Sequence, residues 1–235
     1  MKRLLLVILL AIGIPHLTQG RIYLVSVGVA DYPGTKNDLR VSDNDAKSIA
    51  NVFAATQNAL VYKLINEGAT QSAIINTIHS TFSQAQEGDA VILYFSGHGV
   101  PGALVCYDGR LSYQRIFQML NASRATKKII ITDACYAGKM RTSKQQSNNY
   151  NNQNVMLFLS SRTDELSKET QFKNSLFTIF LERGLRGGAD KNRDRRITAR
   201  EIYEFVHEGV AEASGGGQHP VMWGKFDNDM TIINW

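Results

Sequence analysis

Four short apolar runs, the first three separated by stretches of helical periodicity, constrain this chain more than anything else in it. They are Arg21 to Ala30 (RIYLVSVGVA), Asp89 to Ser96 (DAVILYFS), Lys127 to Thr132 (KKIIIT) and Val155 to Ser160 (VMLFLS). A strand that is apolar on both faces must be covered on both faces, which is the signature of a parallel sheet between helical layers. Alternation of such strands with amphipathic helices gives βαβ units. The pattern therefore predicts an α/β fold with a mostly parallel central sheet and helices on both faces.

The segments between these runs fit that architecture. Ser42, as N-cap, opens a helix to about Ala55, with acids in its first turn and Ala46, Ile49, Ala50 and Phe53 on one face. Leu60 to Ile65 is a further short strand. Thr70 caps a helix whose apolar residues Ile74, Ile75, Ile78, Phe82 and Ala85 follow the 3.6-residue period. A ribbon at Ala103 to Tyr107 and a helix at Tyr113 to Leu120 come next. Beyond Val155 to Ser160, the pattern predicts helices at Ser175 to Leu185 and Ala199 to Ala213, then terminal strands at Val221 to Phe226 and Met230 to Ile233.

The N-terminus is of another kind. Lys2 and Arg3 precede an unbroken apolar run from Leu4 to Ile14, Pro15 breaks it, and Thr18-Gln19-Gly20 supplies small residues before Arg21. As a helix the run would reach roughly 16 Å at about 1.5 Å per residue, far short of a hydrocarbon core of about 30 Å. Residues 1–20 are therefore expected to be a cleaved signal peptide, with the folded domain at 21–235 and the product secreted or periplasmic. No cysteine follows the run to carry a lipid, and no stable membrane span is expected.

Composition narrows the function classes. A chain of 235 residues makes one sizeable domain or two small ones, and 43% hydrophobic with 20% charged residues excludes disorder and collagen-like repetition. Two cysteines are too few for a disulfide scaffold. The net charge of +5 falls to +3 once Lys2 and Arg3 leave with the signal peptide. The remaining cations are scattered, with no helix-turn-helix, zinc or RNP-type signature, so no nucleic-acid partner is expected. Residues 139–154 (KMRTSKQQSNNYNNQN) are polar and almost without large aliphatics, as a surface loop would be.

The chemistry sits at two strand ends. In open α/β sheets ligands bind beyond the carboxyl ends of the strands. Asp89 to Ser96 runs into Gly97-His98-Gly99, and Lys127 to Thr132 runs into Asp133-Ala134-Cys135. On neighbouring parallel strands the two side chains could meet, and a cysteine beside a histidine is the arrangement of a thiol nucleophile with a proton-handling imidazole. Either residue alone is as readily a packed one, since free cysteine is among the most buried residue types. Two strand-terminal motifs with glycine near the reactive residue are hard to explain by packing. Cys106 lacks such flanks and is expected to be structural. A Cys106–Cys135 disulfide would abolish the nucleophile.

These residues carry a resemblance. YFSGHG ending at Gly99, then DACYAG beginning 34 residues later at Asp133, resembles the catalytic His and Cys motifs of caspase-like cysteine peptidases, closer to bacterial orthocaspases and metacaspases than to animal caspases. LRVSDNDAKSIANVF before them, and SSRTDELS and NSLFTIFLERGL after them, fall in the expected order over nearly the whole mature chain. The resemblance implies a three-layer caspase-type fold with a sheet of about six strands, and endopeptidase activity on protein or peptide substrates with no metal in the chemistry. It implies Cys135 as nucleophile, His98 as general acid/base, and the N–H groups of Gly99 and Cys135 as the oxyanion hole. Asp133 would line the pocket for the residue before the scissile bond, with Asp164 as a second pocket acid.

That pocket has two readings. Asp133, Asp164 and Glu165 favour a Lys or Arg side chain, because a buried carboxylate wants a cationic partner. Arg162 lies near the arginine with which animal caspases bind aspartate, which would give an Asp-specific peptidase. The polar segment 139–154 stands where processed relatives separate large and small subunits. With Lys139, Arg141 and Lys144 there, a basic-specific peptidase could cut itself. A catalytically silent caspase-like binding or assembly module is the alternative from another class. The oligomeric state is not legible.

Residues 190–201 (DKNRDRRITARE) have oxygen ligands at positions 1, 3, 5, 9 and 12 of an EF-hand-like loop. Arg195 stands where the sharp turn needs glycine, and the loop's Lys and Arg residues would repel Ca²⁺. The segment reads as a helix-entry turn with Thr198 as N-cap. Ca²⁺ enters only as an activator that the resemblance implies.

Overall fold

Strand β1 (Ile22–Gly28) is buried along its full length, as is β3 (Ala90–Ser96), and the two pair in parallel with Ile22 opposite Ala90 and Gly28 opposite Ser96. They form the centre of the computed structural model, which describes residues 20–56, 58–134, 155–161 and 173–235. The expected signal peptide, apart from Gly20, and the polar loop 139–154 lie outside the described residues.

On one side β1 pairs with β2 (Ala59–Ile65); on the other β3 pairs with β7 (Lys127–Asp133), β7 with β8 (Val155–Leu159) and β8 with β10 (Val221–Lys225). Among the described residues these six strands form one sheet in the order β2-β1-β3-β7-β8-β10, antiparallel only at β10. This is the mostly parallel sheet that the apolar runs predict. The turn after β3 carries a small sheet of β4 (Gly99–Val100), β5 (Ala103–Val105) and β6 (Arg110–Ser112). A further antiparallel pair joins β9 (Arg196–Thr198) to β11 (Thr231–Asn234).

Alternation along the strands sends successive side chains to opposite faces. Tyr23, Val25 and Val27 pack with Ile74, Ile78 and Phe82 of helix α2 (Gln71–Phe82) and Ile116 and Leu120 of α3 (Tyr113–Ala122). Leu24, Ile92 and Ile131 face Ile49 and Phe53 of α1 (Ser42–Ala54), Phe177 and Leu181 of α4 (Leu176–Arg183), and Ile202 and Val206 of α5 (Ala199–Ala213). The result is three layers. Each fully buried Leu, Ile or Phe contributes about 1.5–3 kcal/mol.

The caps account for most helix starts. Thr70 accepts from the Ala73 N–H, Ser112 from Arg115 and Ser175 from Thr178. Thr198 and Glu201 form a reciprocal capping box, the helix-entry turn expected there. Helix α1 differs from expectation. Ser42 is its first helical residue and Val41 occupies the cap position without a side-chain hydrogen bond, because the first turn is packed inward: Ser42 and Asp45 are both buried. Helix α4 also ends earlier than read, passing at Gly184–Gly188 into a π-helical turn.

Candidate active site

Strands β1, β3, β7 and β8 end level with one another. The Val29 N–H donates to the Ser96 carbonyl (3.0 Å), the Gly97 N–H to that of Asp133 (3.2 Å), and the Ser160 N–H to that of Thr132 (2.9 Å). Gly97 then turns the chain where no side chain fits: a Cβ there would lie 2.9 Å from Tyr32 Oη and 3.0 Å from the Phe95 ring. The next residue is His98, half-buried at the rim.

The histidine is held by the segment between β1 and α1. Its Nε2 lies 2.7 Å from the Asn37 carbonyl oxygen. A carbonyl only accepts, so Nε2 carries a proton and, in the neutral ring, Nδ1 is the nitrogen with a free lone pair. The Tyr32 ring lies 5.0 Å from the imidazole at 40°, and Tyr32 Oη accepts the His98 N–H at 2.9 Å. Burial pushes the Tyr32 phenol well above its ordinary range, so it stays protonated and donates to the Val105 carbonyl (3.2 Å).

The His98 carbonyl accepts the Val105 N–H at 2.9 Å. The peptide linking His98 to Gly99 is planar and trans, so its N–H points opposite to its C=O. The Gly99 N–H is therefore directed away from β5.

Asp133, at the end of β7, is 4% exposed. Its Oδ2 accepts from the hydroxyls of Ser175 and Thr178, the latter at 3.3 Å. Beside it lies Asp45, fully buried, a residue that the sequence reading placed only among the first-turn acids of α1. Asp45 accepts from Ser96 Oγ, Asn174 Nδ2 and the Ser175 N–H, each at 2.9 Å. Burial, followed by the nearby Asp133 charge, pushes Asp45 up to about 7. A signal for it was present: Asp45 lies four residues before Ile49, on the apolar stripe rather than on the solvent face.

Cys106 is buried and free, and burial together with the Asp108 charge pushes its thiol up to about 12. That is an inert thiol, as its flanks suggest. Cys135, Asp164, Arg162 and Glu165, and with them Lys139, Arg141 and Lys144, lie outside the described residues.

In the 190–201 loop, Asp190 accepts from the N–H groups of Asp194 and Arg195, and Asp194 from that of Arg196. Arg195 takes the left-handed φ of 64° that a glycine would occupy freely. Among the described residues no group of three or more His, Cys, Asp or Glu could hold a metal ion, and no helix is long and apolar enough to cross a membrane.

A six-stranded, mostly parallel sheet between helical layers, with a histidine beyond its third strand, defines a caspase-type α/β fold. Solved structures share it, two of them as follows. A Geobacter sulfurreducens protein superposes with a TM-score of 0.67 at 16% identity, over 89% of this chain and 95% of its own. Caspase-1 of Spodoptera frugiperda superposes with a TM-score of 0.65 at 15% identity, over 91% and 88%. The family model of the caspase domain of C14 peptidases matches residues 23–230, and the chain belongs to that family, one of cysteine peptidases. Among curated proteins, none matches the chain in sequence.

Proposed function

We propose that this chain is a secreted or periplasmic cysteine endopeptidase that cleaves after Lys or Arg, with Cys135 as nucleophile and His98 as its proton carrier. The observation that carries the reading is the His98 arrangement: the Asn37 carbonyl holds Nε2–H and leaves Nδ1 available. Ser96 and Asp133 are register partners on β3 and β7, and His98 and Cys135 each follow two residues later in the chain.

His98 Nδ1 takes the Cys135 thiol proton, the thiolate attacks the scissile carbonyl carbon, and the oxygen takes the negative charge. The Gly99 and Cys135 N–H groups would stabilise it, and removing one such donor typically costs roughly 10² to 10³ in rate. Collapse breaks the C–N bond while His98 delivers a proton to the leaving amine, giving a thioester. Water then attacks the thioester as His98 takes its proton, releasing the acid and the thiol.

The basic preference is supported by Asp133 together with Asp45, two carboxylates side by side at the carboxyl end of the sheet. A cationic side chain would offset their repulsion, and Asp164 would add to the field. The mature start at Arg21 is supported by Asp89, whose Oδ1 accepts the Arg21 main-chain N–H at 2.7 Å and would face a new amino terminus.

Peptides with Arg, Lys or Asp before the scissile bond, assayed with and without Ca²⁺, test the proposal. Cleavage after Arg and Lys is expected, and cleavage after Asp alone would overturn the specificity. Cys135 should react rapidly with iodoacetamide at neutral pH. Slow labelling with no turnover would move the chain to the binding or assembly class. Mass spectrometry of wild-type and Cys135→Ala protein tests self-processing within 139–154, which an identical cut pattern in both would exclude.

A further inference from the structure

Three hydrogen bonds close a ring behind the histidine. Tyr32 Oη donates to the Val105 carbonyl at 3.2 Å, the Val105 N–H donates to the His98 carbonyl at 2.9 Å, and the His98 N–H donates back to Tyr32 Oη at 2.9 Å. The ring ties both main-chain polar groups of His98 to one phenol and one strand residue. We propose that Tyr32 is a positioning residue that sets His98 and the Gly99 N–H together.

The coupling runs through one peptide plane. The His98 C=O and the Gly99 N–H belong to the same planar unit, so fixing the carbonyl on Val105 fixes the direction of the Gly99 N–H as well. The phenol also packs its ring against the imidazole, so one side chain restrains the backbone and the ring of His98 at once. A group held this way costs little reorganisation when charge develops nearby.

Tyr32 is itself anchored. Its N–H donates to Asp38 Oδ1 at 3.0 Å, and the N–H groups of Ala30 and Asp31, just before it, donate to Asn66 Oδ1 at 2.9 and 3.2 Å. Gly97 leaves the space its hydroxyl needs, since a Cβ at that position would come within 2.9 Å of it. The segment that supplies Tyr32 also supplies the Asn37 carbonyl on Nε2, so the imidazole is gripped from backbone and ring edge by one stretch of chain.

The proposal rests on the peptidase reading for its kinetic consequence but not for its geometry, and its test separates the two. Tyr32→Phe keeps the buried ring and removes the hydroxyl. The expected result is a fall in kcat of about tenfold or more with KM within about twofold. Tyr113→Phe serves as control: it removes another buried hydroxyl, which donates to the Val100 carbonyl of the same small sheet, and should leave kcat unchanged. Equal losses in the two variants would reduce the Tyr32 effect to general loosening and overturn the proposal.

A second readout needs no turnover. In ¹⁵N-labelled Cys135→Ala protein, the His98 amide should show the small temperature coefficient of a hydrogen-bonded N–H, and adding Tyr32→Phe should shift the amide resonances of both His98 and Gly99. Movement of both, alongside a wild-type protein that cleaves none of the peptides, would support Tyr32 while sinking the peptidase reading. A steep His98 coefficient, or a Gly99 amide unmoved by Tyr32→Phe, would overturn the proposal whatever the activity.

Discussion

Ser96 on β3 and Asp133 on β7 stand opposite one another in the parallel ladder, and both side chains turn into the same buried polar cluster. Ser96 Oγ donates to Asp45, and Ser175 links the two acids, giving its N–H to Asp45 and its hydroxyl to Asp133. The level at which the two motif-bearing strands end is thus fixed by side chains as well as by backbone.

If Cys135 and His98 form the proposed nucleophilic pair, His98→Ala and Cys135→Ala should each lower turnover by about 10³-fold or more, since the members of such a pair act as a unit. His98 is only half-buried, so its removal should move the melting temperature by no more than a few degrees. Paired activity and thermal-melt measurements check both statements.

The pH dependence of stability follows from Asp45. Its pKa of about 7 in the folded protein exceeds the unfolded value of about 3.9. The native state therefore holds a proton that the unfolded chain gives up. This contribution to stability is fully present below about pH 4 and is lost as pH rises toward 7. Denaturant titrations at pH 5 and pH 8 should show wild-type protein losing about 1 kcal/mol or more across that interval through this group. Asp45→Asn should show a distinctly smaller loss, and an unchanged slope would refute the assignment.

Asp133→Asn preserves shape and can still accept from the Ser175 hydroxyl while removing a charge. If a cationic substrate side chain meets that charge, kcat/KM for Arg and Lys peptides should drop by about 30-fold or more. Peptides with a neutral residue at the same position should change little. Equal losses for charged and neutral peptides would point to a structural role alone.

Gly28→Ala tests how closely α1 is seated. A Cβ at Gly28 would lie 2.4 Å from the Ser42 carbonyl oxygen and 2.7 Å from the Ala46 Cβ, so helix or strand must shift. Overpacking of this kind costs about 1–3 kcal/mol. Because α1 carries Asp45, the variant should also move the acid's titration, which carboxyl-region NMR would follow.

Much of the fold was legible because burial on both faces and helical periodicity are local signals. The runs at Ile22–Gly28, Ala90–Ser96, Lys127–Asp133 and Val155–Leu159 are the central strands. The α5 boundaries match the reading because Thr198 and Glu201 write their capping box into the sequence. Ser42 misled, since a serine before two acids looks like a solvent-facing cap, whereas tertiary packing turned that turn inward. The meeting of Asp45 with Asp133, and of Tyr32 and Asn37 with His98, joins residues far apart in the chain and has no local signature. The small residues around His98 marked it as a candidate, but not which carbonyl would hold its Nε2.

Strands β7 and β8 flank the polar stretch 139–154, and Lys128 to Thr132 match Val155 to Leu159 in register. A backbone break in that stretch would convert an internal ladder into a seam between two polypeptides, with Asp45 and Asp133 on one and their partner Ser175 on the other. The nicked molecule would be a heterodimer whose mating surface was assembled while the halves were still one chain. Separation of its halves should then depend on protein concentration, as unfolding of the uncut chain does not.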